Sequence, residues 1–385
     1  MPVVLSPSER RIFDLVWRRG PIARTDLVAL SGLTGATVTR LVRGLSEQRL
    51  VEERVHRTGA RGQPTRPVSI NHRGGQSVGV YFSHRHVEIG LVDLSGDVLR
   101  AANWPIEETT PVMLAKLTRD FLAAIANDSE IEPAPLLGIG LAVPGDFIDG
   151  ARQLNAHSYF PALARRDALA DYAREVTAPV LVENDAASAA LGERLLGIAQ
   201  KIDSFLFVHI GHGVGGGVVM DGRVVRGARG NAGMIGIQFP SDRPRPSGQD
   251  LFATLKMAGV DAQDFVDLEN LQPRSCPPLQ GWINRAGKQL RDQLSITARL
   301  FDPEAVIVGG RLPLHLLQAL AAEIGGPGFC DEGVGLPAPR VLCSTLGPRA
   351  GMVGAAALPI FRTLLDWRDE KDLMPGLPIG GWSDF

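Results

Sequence analysis

The chain has 385 residues, 44% hydrophobic and 21% charged, with a formal net charge of -2, the profile of a globular protein of two or three domains at ~100–200 residues each. Cys276, Cys330 and Cys343 are far apart and form no CxxC pair, which excludes a disulfide framework or a zinc ribbon as the organising device. Neither a leader-like segment nor an apolar run of the ~18 residues that a membrane helix needs is written here, so a cytoplasmic protein with no membrane partner is expected.

The small net charge hides an asymmetry. Residues 1–73 hold thirteen Arg and no Lys against six acidic residues, a charge of +7, while the remainder carries 27 basic and 36 acidic residues, a charge of -9. A basic head on an acidic body points to a polyanion met by the head alone. Ser6 or Ser8 can cap a first helix with Ile12, Phe13, Val16 and Trp17 on one face, ended by Gly20-Pro21. Thr25–Ser31 reads as a second, short helix and Gly32-Leu33 as a turn. Thr34 then caps a third helix in which Val38, Leu41, Val42 and Leu45 fall at i, i+3, i+4 and i+7, leaving Thr37, Arg40 and Arg43 on other faces. Leu50–Val55 and Pro67–Ile70 alternate like the two strands of a wing whose tip, HRTGARGQPTR, is rich in Arg and Gly.

This order fits double-stranded DNA. The first turn of the third helix, Thr34 to Thr37, carries the small Gly35 and Ala36 that permit close approach in a major groove. Thr37 can touch a base edge or phosphate, and Arg40, with Arg43 beside it, can pair with guanine or phosphate. Arg57, Arg61 and Arg66 on the tip suit a narrow minor groove. The alternative is a helical protein-interaction module whose arginines are merely solvated.

From Ser77 the pattern becomes α/β. VGVYFS and HVEIGLVDLSGDVL read as strands, Val112–Ala126 as a helix, LLGIGLAVPGDFIDG as strand and turn, and Asp167–Val176 as a further helix before the strand APVLVEND and the helix AASAALGERLLG. Asn184 and Asp185 stand where a buried strand ends and a helix starts, the usual place for ligand contacts in an open sheet. Asp185 is a hydroxyl contact or only the cap of the helix beginning at Ala186; the pattern leaves both open. In Val208–Gly236, Gly211, Gly213, Gly215 and Gly216 permit a tight turn with open N–H groups, a phosphate-sized hollow or plain turn chemistry. Asp221-Gly222 sets this loop inside a β-meander, so a Walker or Rossmann reading fails. Helices over about 251–259, 261–271 and 279–301, the strand DPEAVIVGG, the helix Leu314–Ile324, a strand over 341–344 and a helix over 351–367 complete the pattern. Two such halves predict an actin-like pair of lobes, with 1–73 as head and linker, 74–195 as the first lobe and 196–385 as the second, cleft-forming and oligomerising lobe.

LTGATVTRLVRGL, RGQPTRPVSIN, GIGLAVPGDFIDG, PVLVENDAASAALGE, the glycine segment, DPEAVIVGG and LGPRAGMVGAAAL, in that order over nearly the whole chain, resemble the ROK family (repressor, open reading frame, kinase) in its transcription-regulator branch. The resemblance implies a winged helix-turn-helix on a ribonuclease-H-like, actin-like sugar-kinase body, and a dimer or tetramer that either phosphorylates sugars or represses transcription in response to them. Two departures bear on which. Where the kinases have an Asp-x-Gly-Gly-Thr phosphate turn, the aligned stretch is Tyr81-Phe82-Ser83-His84-Arg85; without the carboxylate and glycines no kinase activity is expected. The family's zinc motif is also missing, so no metal or other cofactor is expected. Met234 and Ile237 replace two sugar-contacting residues and Phe252 stands near a third, so the expected effector is less polar than a plain hexose, or smaller, or absent. Asn184 and Asp185 remain as hydroxyl contacts, Asp185 without a role as base, and His212 is read as a surface histidine. The sequence thus predicts a DNA-binding repressor whose kinase-like body senses a small carbohydrate-type effector. A sugar kinase with a regulatory head and a ligand-blind DNA binder are the alternatives.

Overall fold

The computed structural model describes residues 3–53, 66–150, 152–240, 242–331 and 335–365. The head packs three helices, α1 (Pro7–Arg19), α2 (Arg24–Ser31) and α3 (Gly35–Glu47). Ser6 and Glu9 cap α1 reciprocally: the Glu9 N–H donates to Ser6 Oγ at 3.3 Å and the Ser6 N–H to Glu9 Oε2 at 2.8 Å. Gly32, at φ 68°, lets the chain leave α2 sharply. Thr34 caps α3 by accepting the Thr37 N–H at 3.3 Å, and Val38, Leu41, Val42 and Leu45 are its buried face, as their spacing requires. The wing strands β1 (Val51–Glu53) and β2 (Val68–Ile70) pair antiparallel with Val51 opposite Ile70. The tip, Arg57 and Arg61 included, lies outside the described residues.

The body begins with β3 (Gln76–Ser83), β4 (His86–Asp93) and β5 (Val98–Pro105), then α4 (Pro111–Ala126), β6 (Leu136–Val143), the small hairpin β7 (Gly145–Phe147) and β8 (Leu154–Ala156), α5 (Ala168–Glu175), β9 (Val180–Asn184) and α6 (Asp185–Leu196). The second half has β10 (Phe205–Ile210), β11 (Val214–Met220), β12 (Arg223–Val224), α7 (Gly248–Met257), α8 (Pro277–Phe301), β13 (Ala305–Gly310), α9 (Leu314–Ile324), β14 (Arg340–Cys343) and α10 (Ala350–Ile360). The two five-stranded sheets share one topology, β5-β4-β3-β6-β9 and β12-β11-β10-β13-β14. In each, three antiparallel strands lead into two parallel ones. Each sheet buries one face in its own core, around Phe82, Phe160 and Tyr172 in the first and Trp282 in the second.

Four expectations are corrected, three of them local. HVEIGLVDLSGDVL is two strands, because Asp93 Oδ1 accepts the N–H groups of Ser95 (2.8 Å) and Asp97 (3.0 Å) and folds a turn between them. The helix expected over 261–271 is only the 3-10 turn Phe265–Leu268. There the Asp267 carboxylate takes the N–H groups of Gln263 and Asp264 at 2.7 and 2.8 Å, a local bond that competes with an α-helical start. The end of the 1–73 segment, expected as linker, is held against the head: Asn71 Nδ2 donates to the Arg49 carbonyl at 2.6 Å, and a 3-10 turn (His72–Gly74) leads into β3.

The fourth is long-range. Although α10 lies at the far end of the 196–385 segment, it packs on β3 and β6 of the first sheet and on α6. Glycines make the approach possible: a Cβ on Gly140 would run into the Ala355 carbonyl, and one on Gly354 into the Ser188 carbonyl. On its other side α6 meets β11, where a Cβ on Gly217 would lie 2.7 Å from Ala190 Cβ. Thus α6 and α10 form the layer between the two sheets. The head is joined to that layer by one continuous apolar core, in which Phe13, Val16, Leu41 and Leu45 share a cluster with Leu191, Leu195, Ala357 and Leu364.

Candidate functional site

Two surfaces carry chemistry. On the head, Gly35, Ala36, Arg40 and Arg43 are exposed on α3, and Arg66 is exposed beside the wing. Thr34 is exposed and Thr37 half-buried, and their hydroxyls bond each other at 2.9 Å, so both take part in the cap. Arg43 lies 3.4 Å from Glu47 in a solvated pair, which is worth little. No acidic partner is paired with Arg40 or Arg66 among the described residues.

Between the lobes lies a cavity of about 560 Å³, within the range of small-molecule sites. Asn184 ends β9 and caps α6: its Oδ1 accepts the N–H groups of Ala186 (2.9 Å) and Ala187 (3.2 Å), and its Nδ2 donates to the Gly145 carbonyl at 3.1 Å. Its side chain lines the cavity but is largely occupied by structure. Asp185, beside it in the wall, accepts the Ala186 N–H through Oδ1 at 2.8 Å and has no side-chain partner. Burial pushes its carboxyl up to about 7, backbone N–H groups oppose this, and Asp146 raises it further. Asp146, in the same wall on β7, is likewise raised by burial against its hydrogen bond with Asn155.

The opposite side is made of rings. His84, from the β3–β4 turn, lies 4.0 Å from the Tyr159 ring and 4.8 Å from His212, between centroids; His157 lies 4.5 Å and His212 5.1 Å from Tyr159. His212 is therefore part of the wall, not a surface histidine. Burial lowers His84 and, helped by His84 and His157, takes His212 down to about 4, so both are neutral near pH 7. Behind His84, Arg311 donates to Ser83 Oγ at 2.8 Å, pairs with Asp264 at 3.3 Å and lies 4.6 Å over the Phe265 ring. Phe252, expected in the ligand set, is outside the wall: it lies behind His212, 6.5 Å away, packed on Phe265. Met234 and Ile237 do line the cavity and are 37% and 78% exposed, which sets them at its mouth.

The glycine segment lines the cavity and is tied to α7. Gly211, Gly213, Gly215 and Gly216 reach the cavity, but the loop offers carbonyls to the first turn of α7: Gly211 O and His212 O accept the N–H groups of Gly248 and Gln249, each at 2.9 Å. Gly216 instead serves packing, since a Cβ there would lie 2.7 Å from the Gly233 carbonyl. Sequence reasoning missed His209, Asp146, Asn155, His157, Tyr159 and Arg245, all in the wall. Of these only His209 left a local signal, a titratable residue inside the apolar strand FLFVHI. No cluster of three or more His, Cys, Asp or Glu that could hold a metal occurs among the described residues, and no helix among them is long and apolar enough to cross a membrane.

The model of the ROK family matches residues 77–249. The uncharacterized protein y4fQ of Sinorhizobium fredii (strain NBRC 101917 / NGR234) is 40% identical over 94% of this chain and 93% of its own length. The chain belongs to the ROK family. The xylose repressor of Bacillus spizizenii is 25% identical over 92% of this chain and 94% of its own. The crystal structure of a ROK family transcriptional regulator, a homolog of the E. coli MLC protein, superposes with a TM-score of 0.69 at 24% identity and covers 93% of this chain and 96% of that one. That likeness shows the fold along nearly the whole chain, head included. Solved ROK sugar kinases match about three quarters of this ROK chain.

Proposed function

We propose that this ROK protein is a DNA-binding transcriptional repressor whose body binds a small carbohydrate-type effector without phosphorylating it. The repressors among its relatives support the regulatory role. The exposed first turn of α3, followed by the exposed Arg40 and Arg43, supports major-groove contact by Thr34–Thr37, Arg40 and Arg43; the Arg- and Gly-rich sequence of the tip supports Arg57, Arg61 and Arg66 as minor-groove contacts. Pairing of heads in a homodimer or homotetramer would match a two-part operator.

One observation carries the reading: α6 runs from the cavity to α1 of the head. Its first residue, Asp185, lines the cavity. At its last turn the Leu195 carbonyl accepts Trp17 Nε1 of α1 at 3.1 Å, and Arg194 shares Asp203 Oδ1 with Arg18 of α1, each at 3.0 Å. An effector that moves α6 is therefore sensed by the head, and one that favours the released arrangement lowers operator affinity by its differential binding to the two states. The test is fluorescence anisotropy of labelled DNA from upstream of the gene, at fixed salt, with a panel of sugars, sugar acids, polyols and their phosphates. Tight binding abolished by one compound supports the repressor; tight binding that nothing alters favours the ligand-blind alternative.

A sugar kinase with a regulatory head is the second reading, and Asp185 favours it, because a carboxyl near 7 is suited to take a hydroxyl proton. Phosphoryl transfer also needs phosphate and metal to be positioned. Here the turn aligned with the kinases' phosphate segment is packed by His84, Tyr159 and His212. ATP-dependent formation of a sugar phosphate by the purified protein would overturn the non-enzymatic assignment.

A further inference from the structure

The cavity holds a cation that the chain itself leaves uncompensated. Arg245, from the polar loop ahead of α7, lines the wall and gives one Nη2 hydrogen to the Gly236 carbonyl at 2.6 Å. Its Nε is buried with no partner, and no carboxylate is paired with it among the described residues, although Asp146 and Asp185 line the same cavity. A half-buried guanidinium without a counter-ion is costly to keep, and its planar fork matches a carboxylate or phosphate. A second orphan stands in the wall: His209 is 3% exposed, neither ring nitrogen has a hydrogen-bond partner, and burial with nearby Arg311 takes it down to about 4. A neutral imidazole offers one N–H donor and one acceptor, and the two aspartates offer acceptors, the complement of hydroxyl groups.

We infer that the effector is an acidic sugar derivative, a monosaccharide-sized molecule whose single oxyanion group is received by Arg245 and whose hydroxyls meet His209, Asp146 and Asp185. This deepens the repressor reading and rests on it only for the word effector, since binding is measured on the protein alone. It also revises the expectation of a weakly polar ligand: beside Met234, Ile237 and other apolar groups, the wall carries Arg245, Asp146, Asp185, Asn155 and Asn184.

The experiment is isothermal titration of the full-length protein, at constant ionic strength, with hexoses of the gluco, galacto and manno series, their uronates and aldonates, and their 6-phosphates. At least one acid should bind ten or more times tighter than its parent hexose, and the carboxylate and phosphate arms identify which oxyanion Arg245 takes. Arg245→Gln should lose that preference, and Arg245→Lys, which keeps the charge without the fork, should restore part of it. Parent hexoses binding as tightly as every acid, no acid binding at all, or an undiminished preference in Arg245→Gln would overturn the inference. If Arg245→Gln does not fold, the acid-over-hexose ratio of the unaltered protein still decides. Failure here with operator binding intact leaves the repressor standing, whereas loss of operator binding with acid binding intact removes the repressor and leaves the acid site.

Discussion

Replacing Asp185 by asparagine removes a costly charge without removing a hydrogen bond, because Asn Oδ1 can still accept the Ala186 N–H that Asp185 accepts at 2.8 Å. Burial and Asp146 lift the Asp185 carboxyl from 3.8 to about 7 in the folded protein. Below about pH 4 the group is protonated in both states and folding costs nothing extra. Between about pH 4 and 7 it ionises in the unfolded chain but not in the folded one, so the folded protein loses stability as pH rises; above 7 the loss is constant. Each tenfold change in proton affinity is worth ~1.4 kcal/mol, which sets a ceiling of ~4 kcal/mol. The side chain lines a cavity that water enters and is only half-buried, and that screening reduces the expected gain of Asp185→Asn to ~2 kcal/mol at pH 8. Urea unfolding followed by tryptophan fluorescence, at pH 5 and pH 8, measures it: the variant should unfold at higher urea than the parent, and by more at pH 8. A variant that is no more stable at pH 8, or whose advantage is the same at both pH values, would mean that a cation neutralises Asp185 and that the cavity does not hold it unpaired. A carboxylate kept at such a cost in a cleft is a mark of a binding site.

Three further outcomes are expected. Arg40→Ala should weaken operator binding and, where Arg40 reads guanine, relax specificity at one position by ~1–3 kcal/mol; unchanged anisotropy would remove α3 from the groove. Trp17→Phe leaves the Leu195 carbonyl without its 3.1 Å donor, a loss of ~1 kcal/mol. It should blunt the effector's influence on operator affinity more than it changes effector affinity, and an unaltered response would show that α6 does not carry the signal. Gly140→Ala drives a methyl group into the Ala355 carbonyl, overpacking that costs ~1–3 kcal/mol; calorimetry should show a lower melting temperature, and an unchanged one would mean that α10 gives way freely.

Elements whose signal is local are legible in the chain. Val38, Leu41, Val42 and Leu45 recur with the helical period, and they are the buried face of α3. Asp221-Gly222 is a turn dipeptide, and β11 and β12 pair across it. The two-lobed body was readable because each half repeats the same order of strand and helix patterns, which the two matching sheets reproduce. Where local chemistry competes with periodicity, as at Asp267, the pattern misled.

Whatever depends on residues distant in the chain emerges only when the elements pack. His84, Tyr159 and His212 belong to three separate segments and become one wall when the lobes face each other. Arg245 sits in a loop that reads as a polar interruption, yet its guanidinium ends beside Gly236. Phe252 left the ligand set because Phe265, which packs on it, turns up behind the glycine loop. The return of α10 to the first sheet, and the fusion of the head with α6 into one core, are likewise invisible to any window along the chain. Periodicity records which face of an element avoids water, but it carries no information on which other apolar face, or which orphaned polar group, will meet it.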